Sequence, residues 1–284
     1  MKKITSLFLL ALMVLGSTTA AFAREAGENF LRPLNVQNAY IDTENKYEVR
    51  VNFDWFRASS GVGGRRVRTN SYTLPRLEVR RSFDTSIPTR IGLSSSFNVG
   101  ASDGLANAVG FGNLGITLEA ALVNKENFAS TLYFNQSIPF QHSPSLSNSL
   151  WRPNAGTDAY GFQTGLETQF DLGDHLTVYS DLGYRYDDFD GDVAAGSFVY
   201  STEAVLDTGS PVNFSMGLLG MTTYDDKRFS GRGARLGGTD LRLVPGIIVP
   251  IGEERNTQLR VGFPIGMNSD SPDFGVQASI FAAL

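Results

Sequence analysis

The sequence predicts an all-β protein, a transmembrane antiparallel up-and-down β-barrel of about twelve strands, because barrels of this kind carry a recognisable set of sequence features. Three observations point to it. Apolar and polar residues alternate repeatedly from Tyr47 to Leu284. The links between the alternating runs are by turns short and long. The chain opens on an export signal, yet nothing after it is an uninterrupted apolar run of about 18 residues, so a helical membrane protein is excluded.

The export signal comes first. Lys2 and Lys3 precede an apolar run from Leu7 to Leu15, and small residues end in Ala21-Phe22-Ala23, so a signal peptide over residues 1–23 is expected to be cleaved after Ala23. That apolar core is shorter than the ~20 residues a spanning helix needs. Its loss removes two lysines and no acids, taking the formal charge from −5 to −7. A mildly acidic mature chain argues against a nucleic-acid partner. Cysteine is absent, which excludes thiolate zinc sites, iron–sulfur clusters and cysteine nucleophiles. No cofactor is expected. With 30 glycines and 11 prolines in the chain, long helices are disfavoured.

Residues 24–46 precede the first strand and include Phe30, Leu31, Leu34 and Val36. Two readings stay open for this extension: a disordered periplasmic tail, or a plug tucked into the lumen. The barrel is assigned to residues 47–284.

The first strand shows the period-two pattern most clearly. Tyr47, Val49, Val51, Phe53 and Trp55 share one face, while Glu48, Arg50, Asn52 and Asp54 share the other. The pattern recurs at Leu77 and Val79; Ile91, Leu93 and Phe97; Leu114 to Leu122; less cleanly around Leu132, Phe134 and Ile138; and Tyr160 to Phe170. It continues at Leu176 to Tyr186, Phe198 to Leu206, Val212 to Leu218, Leu241 to Ile251, Leu259 to Ile265, and Phe274 to Leu284.

The links discriminate a membrane barrel from a soluble sandwich, which also alternates along its strands. Asp84 to Pro88, Asn124 to Asn127, Gly173 to His175, Asp207 to Pro211 and Gly252 to Asn256 are short and rich in turn residues. Between them lie Ser59 to Asn70, Gly100 to Gly110, Gln141 to Asp158, Asp187 to Gly196 and Asp225 to Thr239 as the expected outer loops. Aromatics fall toward strand ends: Trp55, Tyr72, Phe97, Phe140, Tyr160, Phe162, Tyr184, Tyr186, Phe198, Tyr200, Tyr224 and Phe274 at the outer side, Tyr47, Phe83, Phe128 and Phe170 at the inner. Such girdles sit where hydrocarbon meets headgroups, which makes outer-membrane lipid and lipopolysaccharide the expected surroundings. The last strand, ending in Leu284, resembles the terminal signal read by the barrel assembly machinery, which commonly ends in an aromatic residue.

Alternation sends a mixed set of charges inward as candidate selectivity residues: Glu48, Arg50, Asp54, Arg76, Glu78, Arg80, Glu119, Glu167, Asp171, Asp181, Arg185, Glu203, Asp240, Arg242 and Arg260. Such charges either fill a barrel with a network or line a water path. The strongly basic lining of a channel for acidic sugars is absent.

Catalysis and metal binding find little support. A lipid-modifying enzyme would need a histidine beside a nucleophile at the membrane boundary, and the chain has only His142 and His175. His142 stands next to Ser143 in a Ser-rich stretch that reads as a solvated loop; no catalytic residue is assigned. Asp187-Asp188-Phe189-Asp190-Gly191-Asp192 gathers carboxylates around a glycine but lacks a closing glutamate, so it reads as an acidic outer loop and no metal site is assigned.

Several stretches resemble outer-membrane transporters named after the meta-pathway of phenol degradation. These are Arg32-Pro33-Leu34 followed by Ala39-Tyr40-Ile41, the glycine-rich Gly110-Phe111-Gly112-Asn113-Leu114-Gly115-Ile116, Leu243-Val244-Pro245-Gly246, and Gly262-Phe263-Pro264-Ile265-Gly266. The resemblance implies a barrel that passes small, often hydrophobic or aromatic solutes. The expected function is therefore a passive outer-membrane channel. Its rivals are a non-transporting structural or adhesive barrel and a lipid-modifying enzyme.

Overall fold

In a water-soluble protein the apolar face of an alternating strand is the buried one; here the charged face is buried and the apolar face is exposed. In a computed structural model of the chain, Arg90, Arg260 and Glu203 are 0% exposed, whereas Leu93 and Leu182 are each 52% exposed. This inversion is the surface of a protein whose outside meets hydrocarbon and whose inside is polar. The structure describes residues 31–44, 46–62, 65–102, 105–125, 127–139, 159–189, 193–224, 238–252 and 255–284. The signal peptide expected over residues 1–23 lies outside them.

The strands are β1 (Tyr47–Val62), β2 (Arg65–Phe83), β3 (Thr89–Ser102), β4 (Leu105–Phe111), β5 (Leu114–Lys125), β6 (Phe128–Ile138) and β7 (Ala159–Asp171). They continue as β8 (Leu176–Phe189), β9 (Val193–Leu206), β10 (Asn213–Tyr224), β11 (Gly238–Ile251), β12 (Thr257–Gly262), β13 (Ile265–Gly266) and β14 (Phe274–Ala283). All pair antiparallel with their neighbours, and β1 pairs β14 from Glu48↔Ala283 to Arg57↔Phe274. Tyr47 and Leu284 exchange backbone hydrogen bonds of 3.0 and 2.8 Å at the seam. Closure removes the edge that an open sheet would leave unpaired in lipid.

The fourteen segments make twelve barrel strands, because β4–β5 and β12–β13 are each one strand with a break. The run from Leu259 to Ile265 was expected to be continuous; it breaks at Phe263-Pro264, where proline has no N–H to give the ladder. The other break falls at Gly112-Asn113, bridged by the Gly112 N–H donating to the Ser96 carbonyl at 2.6 Å. Bulges interrupt the register at Leu74-Pro75 of β2 and at Leu122 of β5.

Three of the expected outer loops prove to be strand. Ser59 to Asn70, Gly100 to Gly110 and Asp187 to Gly196 mostly continue the ladders of β1–β2, β3–β4 and β8–β9, as in Ser60↔Val67 and Asp188↔Ala194. With 16 and 19 residues, β1 and β2 exceed the ~9–11 that cross a bilayer, so these hairpins project beyond it. Polar residues do not stop a ladder that no longer faces lipid. The expected loops Gln141 to Asp158 and Asp225 to Thr239 fall largely outside the described residues. The short links stand where expected, with Asp84 to Pro88 filling the gap between β2 and β3. The end of the barrel carrying them is called the turn end, and the opposite one the loop end.

Aromatic side chains cluster at both ends of the apolar band. Trp55 and Phe274 meet edge-on at 5.2 Å and Phe162 stacks with Tyr186 at 5.6 Å toward the loop end, while Phe128 and Phe170 lie 4.9 Å apart at the turn end. Arg81 points outward at the turn end between the rings of Tyr47 and Phe83, where a guanidinium can reach headgroups. Leu132 lies between these belts, paired with Ala120 and Leu166 and 48% exposed. Leu132→Arg is expected to cost about 2–4 kcal/mol of stability, the penalty for a lipid-facing cation near the midplane. Equilibrium unfolding by denaturant from lipid vesicles measures it.

Candidate functional site

The inward faces of the strands do not enclose an empty tube. Residues 31–42 run inside the barrel, with Leu31, Arg32, Leu34, Val36, Asn38, Ala39 and Ile41 all buried. The segment makes no ladder with a strand, so its backbone groups need other partners. Lumen side chains supply them. The Leu34 and Asn35 N–H groups donate to the two carboxylate oxygens of Glu203 at 2.9 and 2.8 Å. The Arg32 N–H donates to Gln258 Oε1 at 2.9 Å, and the Tyr179 hydroxyl donates to the Leu31 carbonyl at 2.8 Å. Arg260 donates to the Pro33 carbonyl and, at 2.7 Å, to Ser279 Oγ. Farther along, Thr131 Oγ1 donates to the Ala39 carbonyl at 2.6 Å, and Asn124 both accepts from the Ile41 N–H and donates to its carbonyl at 2.9 Å.

Apolar side chains of the segment also have seats. Leu31 and Val36 form one buried cluster with Tyr179, Val205 and Ile248. Leu34 packs over Gly262, where any side chain would collide with it. Such an apolar patch inside a polar barrel suits this segment.

Beside the segment lies a buried network of charges. Arg90 donates through Nε to Glu119 Oε2 at 2.5 Å, through Nη1 to Glu48 at 3.4 Å, and through Nη2 to the Asn38 carbonyl at 2.7 Å. Arg80 donates to Glu78 Oε1 at 2.7 Å and Glu119 Oε1 at 3.0 Å, and also to Gln37 of the segment. Arg32 of the segment stands 3.5 Å from Glu48. Both signs are therefore compensated locally, as buried charges must be.

Above the network, toward the loop end, the lumen holds a cavity of about 300 Å³. Its walls include Asn35 and Gln37 of the segment, Glu167, Asp181 and Tyr133 on one side, and Val199, Leu219 and Met221 on another.

No family model matches the chain, and no curated protein matches it. Among solved structures, an outer-membrane channel from Pseudomonas putida F1 superposes with a TM-score of 0.66 at 12% identity, over 93% of this chain and 100% of that one. This chain folds as an outer-membrane barrel. The β-domain of a Bordetella autotransporter is similar more distantly, with a TM-score of 0.50 at 10% identity over 84% of this chain and 99% of that one.

The barrel brings Glu48, Glu78, Arg80 and Glu119 into one network, with Arg50 buried directly opposite Glu78 on β1. Glu203 and Arg260 hold the segment. Arg242 is ion-paired with Asp240 and lies 4.9 Å from the Phe56 ring centroid. Arg76 lines the cavity, and Asp54 sits half-buried opposite Thr73 and Gln277. Asp171 accepts from the Thr177 hydroxyl at 2.7 Å at the turn end. Arg185 stands apart, ion-paired at 2.7 Å with Asp187 near the loop end. Asp187 and Asp188 of the expected acidic loop thus belong to β8; Asp190 and Asp192 lie outside the described residues, as does His142. His175 is exposed in the turn before β8.

Arg90 was missing from the inward set, although its neighbour Ile91 points outward and alternation alone places Arg90 inside. Gln169 and Gln258, both buried, carry no charge to mark them as lumen residues in the sequence. The partners contributed by residues 31–42 follow no period and left no comparable signal.

Proposed function

We propose that the chain is a passive outer-membrane channel for small solutes whose lumen is occluded by its own N-terminal segment. The observation that carries this reading is the way residues 31–42 are held: side chains bond their backbone, and they join no strand ladder. A core element would be built into the sheet. A segment held through side chains can leave without opening the wall. With the turn end facing the periplasm, the segment enters from the same side as the short turns, and the cavity above it faces outward. The turn-end and loop-end aromatic belts then mark the two leaflets, with lipopolysaccharide around the outer one, and the pairing of β14 with β1 is the closure that the assembly machinery completes.

Similarity of fold to the Pseudomonas putida channel and the resemblance to the phenol meta-pathway transporters support transport over an adhesive role. Preference for hydrophobic or aromatic solutes rests on that resemblance, and the Val199, Leu219 and Met221 wall suits an apolar body. Reconstitution in planar bilayers tests the proposal. Discrete current steps are expected once the segment is displaced, and silence both with the segment and without it contradicts a channel.

A further inference from the structure

The cavity carries chemistry that passive passage does not require. Glu167 of β7 and Asp181 of β8 are directly opposed in register, so their side chains project from one face about 5 Å apart at Cβ. Like charges so placed are destabilising unless something compensates them. Arg80 and Arg90 act on Glu167 from the neighbouring network but give their hydrogen bonds to Glu78, Glu119 and Glu48, and Arg242 gives its own to Asp240. Arg76 lines the same cavity from β2, where Asp54 and Glu78 are the carboxylates it acts on.

Two carboxylate oxygens are left over. Glu167 is 1% exposed, and its Oε2 has no hydrogen-bond partner; Asp181 Oδ1 is likewise buried and unpartnered. Both residues line the cavity. Beside them the Tyr133 hydroxyl accepts from Gln163 Nε2 at 2.7 Å. Tyr133 can lie there because Gly165 and Gly183 face each other beneath its hydroxyl, where a side chain on either would collide with it. This corner of the cavity is anionic: the Tyr133 O–H, in reach of Asp181, is one donor beside two carboxylates, and Glu167 Oε2 and Asp181 Oδ1 stay without a partner. Val199, Leu219 and Met221 give the cavity an apolar wall.

We propose that the cavity binds a small organic cation, a primary amine with an apolar body, whose ammonium group sits between Glu167 and Asp181. An ammonium brings one positive charge and three donors, enough for both free carboxylate oxygens and a neighbouring acceptor. The volume of about 300 Å³ is at the lower end for small-molecule sites, so the body is small. Among the described residues no group of three His, Cys, Asp or Glu could hold a metal ion, which favours an organic cation over a bare metal. The inference rests on the channel reading, since it names the solute class that the lumen would accept.

Calorimetric titration of the whole chain in detergent micelles tests it, with benzylamine as probe and benzyl alcohol as its uncharged counterpart. Benzylamine is expected to bind at least tenfold more tightly than the alcohol. The isosteric double variant Glu167→Gln/Asp181→Asn is expected to lose at least tenfold of that affinity. Met221→Trp, which fills the cavity and leaves both carboxylates, is expected to lose it too; folding of each variant is checked by heat-modifiable gel migration. Equal affinity for alcohol and amine, or undiminished amine binding by the folded double variant, overturns the proposal. Current in bilayers without amine binding defeats it and leaves the channel standing. Amine binding with no current under any condition supports the site and defeats the channel.

Discussion

Removing residues 24–44 is expected to raise the time-averaged current per channel several-fold over that of the chain beginning at Arg24, because the lumen then stays open. The segment's backbone is held by Glu203, Gln258, Arg260, Tyr179, Thr131 and Asn124, all from the barrel interior, so its loss empties the part of the lumen that it fills. Water can then solvate the side chains that it leaves, at far lower cost than if they stayed buried and unpaired. The wall does not depend on the segment. Its seam is the β1–β14 ladder, and the truncation stops before Lys46, whose carbonyl accepts from the Ser82 N–H at 2.9 Å. Planar-bilayer recording of both forms measures the effect, and equal time-averaged current per channel would show that the segment is not the barrier.

Arg90→Ala is expected to be the most damaging single change among the charges of the network. Arg90 is wholly buried and compensates Glu119 and Glu48 together while holding the Asn38 carbonyl. Removing one partner from a buried ion pair leaves an uncompensated charge and costs about 3–5 kcal/mol. Glu119 keeps Arg80 and Glu48 keeps Arg32, which sets the expectation toward the lower end of that range. Arg185→Ala provides the contrast. Its pair with Asp187 has the arginine side chain 32% exposed, and a pair open to water contributes under about 1 kcal/mol. Denaturant unfolding from vesicles compares the two; similar losses would mean that the network is not what stabilises the barrel interior.

These expectations show which parts of the molecule alternation could reveal. A period of two places every second side chain inside, so Glu48, Glu78, Arg80 and Glu119 were assignable from Val49, Val79 and Leu118 pointing outward. Turn chemistry located Asp84 to Pro88 and Gly173 to His175, because such residues stop a ladder. Composition did not distinguish loop from projecting hairpin at Ser59 to Asn70, since backbone pairing continues there without a lipid-facing pattern. Nor could it choose between tail and lumen for Leu31, Leu34 and Val36. Their seats are Tyr179, Val205, Ile248 and Gly262, contributed by β8, β9, β11 and β12, far along the chain from the segment. The opposed pair Glu167 and Asp181 was visible residue by residue, but its register, and hence the shared corner, comes from the turn between β7 and β8.

If the segment must leave the lumen for solutes to pass, a reversible tether between segment and wall holds the channel closed. The chain contains no cysteine, so Ala39→Cys with Thr131→Cys places one thiol on the segment and one on the wall, where Thr131 now bonds the Ala39 carbonyl at 2.6 Å. In planar bilayers the oxidised double variant is predicted to stay closed, and reduction is predicted to restore the current events of the unmodified chain. Full conductance through the oxidised, crosslinked barrel would contradict the account.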